Sequence, residues 1–190
     1  MKMTVKRRKD TSVKKVFQHR IADIRGGVGV KTSNLGGDYL FEGTPLGAPV
    51  DGLCEVVKIA RVVKTVGTSD NTIEVEKGHH FKVGDYATSN EKAKAYAITA
   101  VDKTNSAKDV ITVATTLGAK IEVGGFIVEA AAEATGNTSA LKVVPQSLNG
   151  TGYEVKPNDN IFTDALLIGT TKGNPLPDCV ADKLKGIINI

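Results

Sequence analysis

Residues 71–86 read NTIEVEKGHHFKVGDY and contain the pattern that decides the fold. The alternation of apolar and polar residues in IEV at 73–75 predicts a half-buried strand, and a loop then leads to VGDY at 83–86. Glycine reaches positive φ without steric cost, so it suits a sharp bend before a second strand that starts at the aromatic residue. The same order recurs in ITV at 111–113 and VGGF at 123–126. Two such units predict a pseudo-symmetric barrel.

The loop of this stretch holds two of the chain's three histidines, His79 and His80, close to Asp85. Neighbouring residues of a strand point to opposite faces, so the two imidazoles cannot easily bind one metal ion. A third ligand would have to come from elsewhere, and His19 in the N-terminal segment is a poor candidate. We therefore predict a structural turn in which one histidine partly covers the sheet edge, the other is exposed, and Asp85 accepts backbone hydrogen bonds after Gly84.

Further strands are predicted on both sides of this stretch. Residues 53–66 (LCEVVKIARVVKTV) and 71–78 are rich in β-branched residues and are separated by GTSD, which predicts a hairpin. Residues 95–101 and 110–114 predict a second one. Aromatic residues make up only 5% of the chain and Trp is absent, whereas Gly, Val, Thr and Ala are frequent. This composition favours many short strands and turns.

The sequence therefore predicts a mainly β fold: a small antiparallel barrel or sandwich with an extended N-terminal arm and a short C-terminal helix. We assign residues 1–50 to a basic, glycine-rich arm that either stays flexible or drapes over a neighbouring surface. Residues 51–132 form the antiparallel β domain. Residues 133–190 form a C-terminal β segment with a helix between Pro177 and Gly186, packed on the body or on a neighbouring subunit. The apolar tail at 187–190 is expected to be buried in one of these places.

The positive charge of the chain is concentrated near its N-terminus. Nine Lys or Arg against two Asp give residues 1–25 a net charge of +7, and the remainder carries −3. Three interpretations remain open: docking on an acidic protein surface, a solvated tail, or binding to nucleic acid phosphates. Nucleic acid is the less favoured partner because stacking aromatic residues are not interleaved with the charges. The candidate contact residues are Lys6, Arg7, Arg8, Lys9, Lys14, Lys15, Phe17, Arg20 and Arg25.

Signatures of an enzyme, a cofactor site or a membrane protein are lacking in the sequence. Cys54 and Cys179 are far apart and form no paired ligand motif, so we expect two free thiols. GGVGV at 26–30 has no following Lys-Ser/Thr, and no Gly-x-Ser-x-Gly occurs. No long apolar run predicts a membrane span, and no apolar region follows the basic N-terminus as in a secretory signal. We expect a protein without catalytic activity, cofactor or metal.

A distinctive ordered set of segments extends from Gly52 to Ile190. Its members are VKIARVVK, VEKGHHFKVGDY, KAYAITAVDKTNSAKDVITVATTLG, VGGFIVEA, ALKVVPQSLNGTGYEV and ALLIGTTKGNPLPDCVADKLKGIINI. In this order they resemble the head fibre and capsid decoration proteins of tailed bacteriophages and prophages. The resemblance implies a structural virion protein on the capsid exterior, made in the host cytoplasm, with the major capsid protein as its partner. It also implies a homo-oligomer, with a trimer as one option.

The segment before Gly52 matches this family less clearly, so its role is argued from its own residues. A charged, glycine-rich segment without a core of its own is suited to lie along a capsid surface and to become ordered on binding. We therefore expect residues 1–50 to anchor the protein to the capsid and the β body to face solvent.

Overall fold

The computed structural model describes residues 15–156 and 159–190, and nearly all of its regular structure is β-strand. The predicted mainly β fold with one short helix near the C-terminus is confirmed. Of the two predicted architectures, the described residues adopt the sandwich-like one, with several antiparallel sheets and no closed barrel. The elements are β1 (Phe17–Asp23), β2 (Val28–Val30), β3 (Tyr39–Leu40), β4 (Pro45–Gly47), β5 (Leu53–Cys54), β6 (Ile59–Arg61), β7 (Thr72–Val75), β8 (Tyr86–Thr88), β9 (Ala95–Asp102), β10 (Asp109–Val113), β11 (Phe126–Ala130), β12 (Pro145–Asn149), β13 (Tyr153–Glu154), β14 (Ile161–Thr163), β15 (Ala165–Thr171), α1 (Asp178–Ala181) and β16 (Ile187–Asn189).

Six strands form the larger sheet, in the order β6-β11-β8-β9-β10-β7, with antiparallel neighbours throughout. Burial alternates along β10 because successive side chains of a strand point to opposite faces. The inward side chains form one apolar core, in which Phe81, Ile98 and Ile127 are almost completely buried. An isolated bridge between Val62, just after β6, and Val75 of β7 brings the two edges together at one point without a continuous ladder between them. The sheet therefore curls around its core.

The larger sheet has the internal pseudo-symmetry that the sequence echo predicts. Residues 59–61 of β6 pair with 126–128 of β11, and residues 95–97 of β9 pair with 86–88 of β8 in the same antiparallel register. Exchanging β6, β7 and β8 with β9, β10 and β11 leaves every neighbour relation in the sheet unchanged, once the bridge at its ends is included. The body is thus two copies of a three-strand unit.

The two Val-Gly turns occupy equivalent places in these units. Gly84 has φ +92° and Gly124 has φ +87°, a region that glycine adopts without the steric cost that a Cβ brings. The N–H of Gly84 donates to the carbonyl of Ile98 at 2.9 Å, and the N–H of Gly124 donates to the carbonyl of Val62 at 2.8 Å. Each turn therefore needs its glycine for the bend, as predicted from the sequence.

A second sheet contains β1, β15, β12 and β4 in this order, with β16 parallel to β15. Its apolar side chains pack against the larger sheet, since Leu148 and Leu166 share a buried cluster with Val57, Val128 and Val180. Two small sheets, β14-β2-β5 and β13-β3, complete the fold. The C-terminal segment therefore packs on the rest of its own chain.

The interpretation of residues 1–50 as a separate arm is wrong for residues 15–50. β1 pairs with β15, β2 with β14 and β5, and β4 with β12. Val16, Val30, Leu40 and Leu46 are fully buried. The few apolar residues among the glycines suffice because their partner strands lie far along the chain, where a local sequence pattern cannot show them. Residues 1–14 lie outside the described residues.

One predicted hairpin is confirmed and the other is reduced to a short contact. β9 and β10 pair along residues 98–102 and 110–113, as predicted. Residues 53–66 and 71–78 run antiparallel only around the bridge between Val62 and Val75, because β6 pairs mainly with β11 and β7 with β10. The pairing of non-consecutive strands replaces the local hairpin.

The apolar tail is buried only in part. β16 adds to the sheet beside β15, and Ile187 packs against the buried cluster between the sheets. Ile188 and Ile190, however, are 62% and 69% exposed. The chain itself therefore covers only one of the tail's three isoleucines.

Candidate functional site

The basic N-terminal segment is the first candidate site, and the described part of it is engaged with its own chain. Lys15 reaches Glu42 Oε2 at 3.2 Å although its side chain is 74% exposed. The Arg20 guanidinium lies 5.4 Å from the Phe17 ring centre and binds two carboxylates, Asp23 and Asp164. These side chains stabilise β1 through contacts within the chain and are therefore already paired before any other molecule binds.

Arg25 has a different position from the other described candidates. It lies in the turn after β1 and is exposed. The remaining candidate contact residues, Lys6, Arg7, Arg8, Lys9 and Lys14, lie outside the described residues. The capsid-contact hypothesis therefore concerns mainly the segment that precedes Lys15.

Glu42 fixes the point at which this basic segment joins the body, a role that no local sequence pattern indicated. Its buried carboxylate accepts hydrogen bonds from the backbone N–H groups of Val16 at 2.9 Å and Phe17 at 3.2 Å through Oε1. Oε2 accepts from Lys15. A buried carboxylate requires such donors, since an unsatisfied charge away from water is costly. Glu42 therefore holds the first residues of β1 against the body.

The two histidines are the second candidate site, and both are buried. The expectation that one of them is exposed is wrong. The glycine-rich segment passes over their loop: the N–H of Gly36 donates to the carbonyl of His80 at 2.9 Å, and a Cβ on Gly37 would lie 2.9 Å from His80 Nδ1. Residues 36–37 therefore drape over the larger sheet, which is one of the alternatives that their composition predicts.

The surroundings of the histidines favour the uncharged ring. His79 Nδ1 accepts a hydrogen bond from the N–H of Phe81 at 3.2 Å, and Nε2 lies 3.2 Å from Asp109 Oδ2. Burial, with Lys103 nearby, lowers the pKa of His79 to about 4. Burial and the neighbouring His79 ring lower the pKa of His80 to about 3. Both rings are neutral at physiological pH.

The contacts of His79, His80 and Asp85 bear on whether this loop is a metal site. Among the described residues no group of three His, Cys, Asp or Glu side chains is placed to hold a metal ion. His79 Nδ1 accepts from the N–H of Phe81, whereas His79 Nε2 and both ring nitrogens of His80 are buried and form no hydrogen bond with the described residues. Asp85 accepts the N–H of Lys82 at 2.8 Å, so its predicted role in the turn is confirmed. The structural interpretation of the loop is the better supported one.

A cleft of about 250 Å³ lies beside this loop, between the N-terminal segment, the larger sheet and the C-terminal segment. Its walls include Phe41, Phe126 and Pro175. The charges at its rim compensate one another, since Arg61 Nη1 pairs with Glu76 Oε1 at 3.1 Å. Glu42 and Lys77, which also line the cleft, pair with Lys15 and Asp109, so each Lys, Arg and Glu side chain in its walls has a partner of opposite charge.

A cluster of buried charges lies at the first Val-Gly turn, and the sequence pattern did not reveal it. Lys58 Nζ lies 2.6 Å from Asp85 Oδ2 and 3.3 Å from Glu129 Oε1. Lys142 Nζ lies 2.7 Å from the same Glu129 oxygen. Burial raises the pKa of Glu129, against the opposing effect of Lys142 and Lys58. A lysine in an apolar strand context was the only available signal.

The two cysteines are free thiols, as the sequence predicts, and both are buried. Burial raises the pKa of both thiols, and a protonated thiol is a poor nucleophile. Neither cysteine is therefore a candidate for covalent catalysis.

Comparisons with protein families, with curated proteins and with solved structures found no match for this chain. Within residues 15–156 and 159–190, no helix is both long and apolar enough to span a membrane.

Proposed function

We propose that this protein is a structural virion component, a head fibre or capsid decoration protein whose N-terminal residues contact the major capsid protein. The observation that supports it best is the junction at Glu42. This carboxylate holds Val16 and Phe17 on the body, and the strongly basic residues 1–14 come directly before this point in the sequence. Lys15 and Arg20 are paired within the chain, which leaves the contact with an acidic capsid surface to residues 1–14.

A homo-oligomer is part of this proposal. Ile168, Ile188 and Ile190 are exposed, and the strand alternation with the pairing of Thr170 and Ile188 directs them to one face. Exposed apolar patches of this kind mark contacts between subunits. Light scattering coupled to size-exclusion chromatography, applied to the wild type and to an Ile188→Lys, Ile190→Lys variant, tests it: we expect the variant to be monomeric.

Deletion of residues 2–14 tests the capsid contact. The protein is co-expressed with the major capsid protein of the same genome, and its content in purified particles is measured. We expect the truncated protein to fold, because the deletion ends before β1, and to be absent from the particles. Deletion of residues 2–25 is less informative, since it also removes β1 from its sheet.

A charge-neutral variant is the matched control for the truncation. Lys6→Gln, Arg7→Gln, Arg8→Gln and Lys9→Gln keep the length of the segment and remove its charge. We expect this variant to be incorporated less than the wild type. We also expect high salt to reduce incorporation of the wild type, because screening weakens exposed charge contacts. Normal incorporation of both the truncated and the neutral protein would contradict the proposal.

Nucleic acid binding through the same segment is the alternative function. It predicts filter retention of a DNA duplex that falls steeply from low to physiological salt, because bound cations release counterions. If the duplex is retained and the particles are not decorated, this alternative replaces the capsid contact.

A further inference from the structure

Three neighbouring strands bring a buried lysine and two carboxylates together. Lys58 immediately precedes β6, Asp85 immediately precedes β8, and Glu129 lies in β11 between these two strands. The N–H of Glu129 donates to the carbonyl of Lys58 at 3.0 Å, which fixes the register between these two residues. The sheet itself therefore positions the three side chains.

The cluster is buried, and its charged nitrogen and oxygen atoms lie close together. The side chains of Lys58, Glu129 and Asp85 are 2%, 3% and 10% exposed. Lys58 Nζ lies 2.6 Å from Asp85 Oδ2, and Glu129 Oε1 is 3.3 Å from the same nitrogen. Burial disfavours both ions of such a pair, so passing a proton from the ammonium to the carboxylate gives an amine beside a carboxylic acid.

We propose that Lys58 and Asp85 condense to an intramolecular isopeptide bond, with Glu129 as the base. The amine nitrogen of Lys58 attacks Cγ of the protonated Asp85; a C–N bond forms and the C–Oδ1 bond breaks. Glu129 takes one proton from the nitrogen and gives it to the departing hydroxyl, which leaves as water. The products are one amide and one water molecule, so no oxidant or reductant takes part.

The site contains the other group that this condensation needs. Negative charge develops on Asp85 Oδ2 when Cγ becomes tetrahedral, and the backbone N–H of Lys82 already donates to this oxygen at 2.8 Å. The folded sheet holds amine and carboxyl group in contact, which replaces a bimolecular encounter by a reaction within one site. Glu129 Oε1 lies 3.3 Å from Lys58 Nζ, within reach of the proton that leaves the nitrogen, and Lys142 Nζ lies 2.7 Å from the same oxygen.

The second three-strand unit provides an internal comparison. By the shared register, Lys94, Gly125 and Ser89 stand where Lys58, Asp85 and Glu129 stand in the first unit. A Cβ on Gly125 would lie 2.8 Å from Ile121 Cγ2 and 3.0 Å from the Glu122 carbonyl oxygen, so an aspartate does not fit there. Lys94 thus lacks both a carboxyl partner and a base, and only the first unit can form the bond.

The bond would join the start of β6 to the first Val-Gly turn. It would close residues 58–85 into a covalent ring that persists when the protein unfolds. Such a cross-link lowers the conformational entropy of the unfolded chain and so stabilises the folded state. The inference does not depend on the proposed capsid function.

Mass spectrometry of the denatured wild-type protein is the direct test. We expect a mass lower than that of the sequence by one water molecule, apart from any loss of the initiator methionine. Trypsin does not cleave after an acylated lysine, so digestion should give a branched peptide in which residues 32–61 are joined to residues 83–92. Fragmentation must place the link between Lys58 and Asp85.

Two findings would overturn the proposal. One is a wild-type mass equal to that of the sequence, with normal cleavage after Lys58. The other is a water loss located at Asp51-Gly52, where a succinimide also removes water but joins no peptides.

Variants test the role of each group. Lys58→Arg keeps the positive charge and cannot form the amide, so the branched peptide should disappear. Glu129→Gln keeps the shape and removes the base, so linkage should be absent or slowed at least tenfold during refolding. Lys94→Arg is the matched control and should remain fully linked. Undiminished linkage in Glu129→Gln would overturn the role of Glu129 as base; circular dichroism verifies that each variant folds.

Discussion

The two Val-Gly turns share the same backbone conformation but differ in the polar side chains around them. Gly84 and Gly124 share a left-handed φ and equivalent hydrogen bonds, so the bend itself requires only glycine. The first turn adds two buried histidines and an aspartate whose side chain is 10% exposed. The second has exposed charges and no space for a side chain at Gly125. The repeated feature is therefore the glycine bend, and the polar cluster belongs to the first unit alone among the two described turns.

The largest effect is expected from removing the buried lysine of the first unit. Lys58→Met leaves Asp85 and Glu129 buried without their shared partner, which should lower the free energy of unfolding by about 3–5 kcal/mol. Lys94→Met, at the equivalent place in the second unit, should change it by less than about 1 kcal/mol. Urea denaturation measures both, and equal losses would show that the two units do not differ in this way.

The second-largest difference between the two turns should appear when stability is measured as a function of pH. The folded-state pKa values of His79 and His80, about 4 and about 3, lie below the ordinary value of 6.5. The unfolded chain therefore binds more protons below pH 6.5, and stability that is present above pH 6.5 is lost as the pH falls. Between pH 6.5 and 5, protonation of the two rings in the unfolded chain should lower the free energy of unfolding by about 3 kcal/mol.

The matched variant for this titration is His79→Gln, His80→Gln, which cannot titrate. Its unfolding midpoint in urea should change much less than that of the wild type between pH 6.5 and 5. A wild-type midpoint that is constant over this range would mean that the histidines are not held neutral.

Alanine at the two turn glycines should have a smaller and equal effect. A Cβ on Gly84 meets nothing within 4 Å, and one on Gly124 meets only the end of the Arg61 side chain at 3.4 Å. The cost is therefore the left-handed backbone alone, about 1–2 kcal/mol in each case. Thermal unfolding of Gly84→Ala and Gly124→Ala measures it; clearly unequal losses would contradict the equivalence of the turns.

The smallest effect is expected at the exposed ion pair of the second turn. Lys120 Nζ lies 2.6 Å from Glu122 Oε1, but both side chains are more than half exposed. Solvent screens such pairs, so Lys120→Ala should leave the unfolding midpoint unchanged within error. A substantial loss would mean that the second turn, too, depends on its charges.

The larger sheet was predictable from the sequence to a considerable extent. The IEV and ITV strands, the VGDY and VGGF turns, and the hairpin of β9 and β10 are local patterns, and local patterns encode short-range structure. The N-terminal strands were not predictable. β1 is held by β15 and by the carboxylate of Glu42, and these contacts join residues that are distant in sequence.

The candidate sites show the same division. Asp85 was placed correctly in its turn because that role depends on residues three positions apart. Its second partner, Lys58, and the carboxylate of Glu129 reach it only because β11 lies between β6 and β8. Burial of both histidines likewise depends on Gly36 and Gly37, which come from another part of the chain.

The sequence by itself determined the strand-rich class, the repeated turn with its glycine, and the basic character of residues 1–25, since all three follow from local composition and backbone sterics. Only the tertiary structure decided which residues lose contact with water. Burial fixes the charge state of His79 and His80 and brings Lys58 within reach of Asp85, and burial is a property of strand pairing across the whole chain.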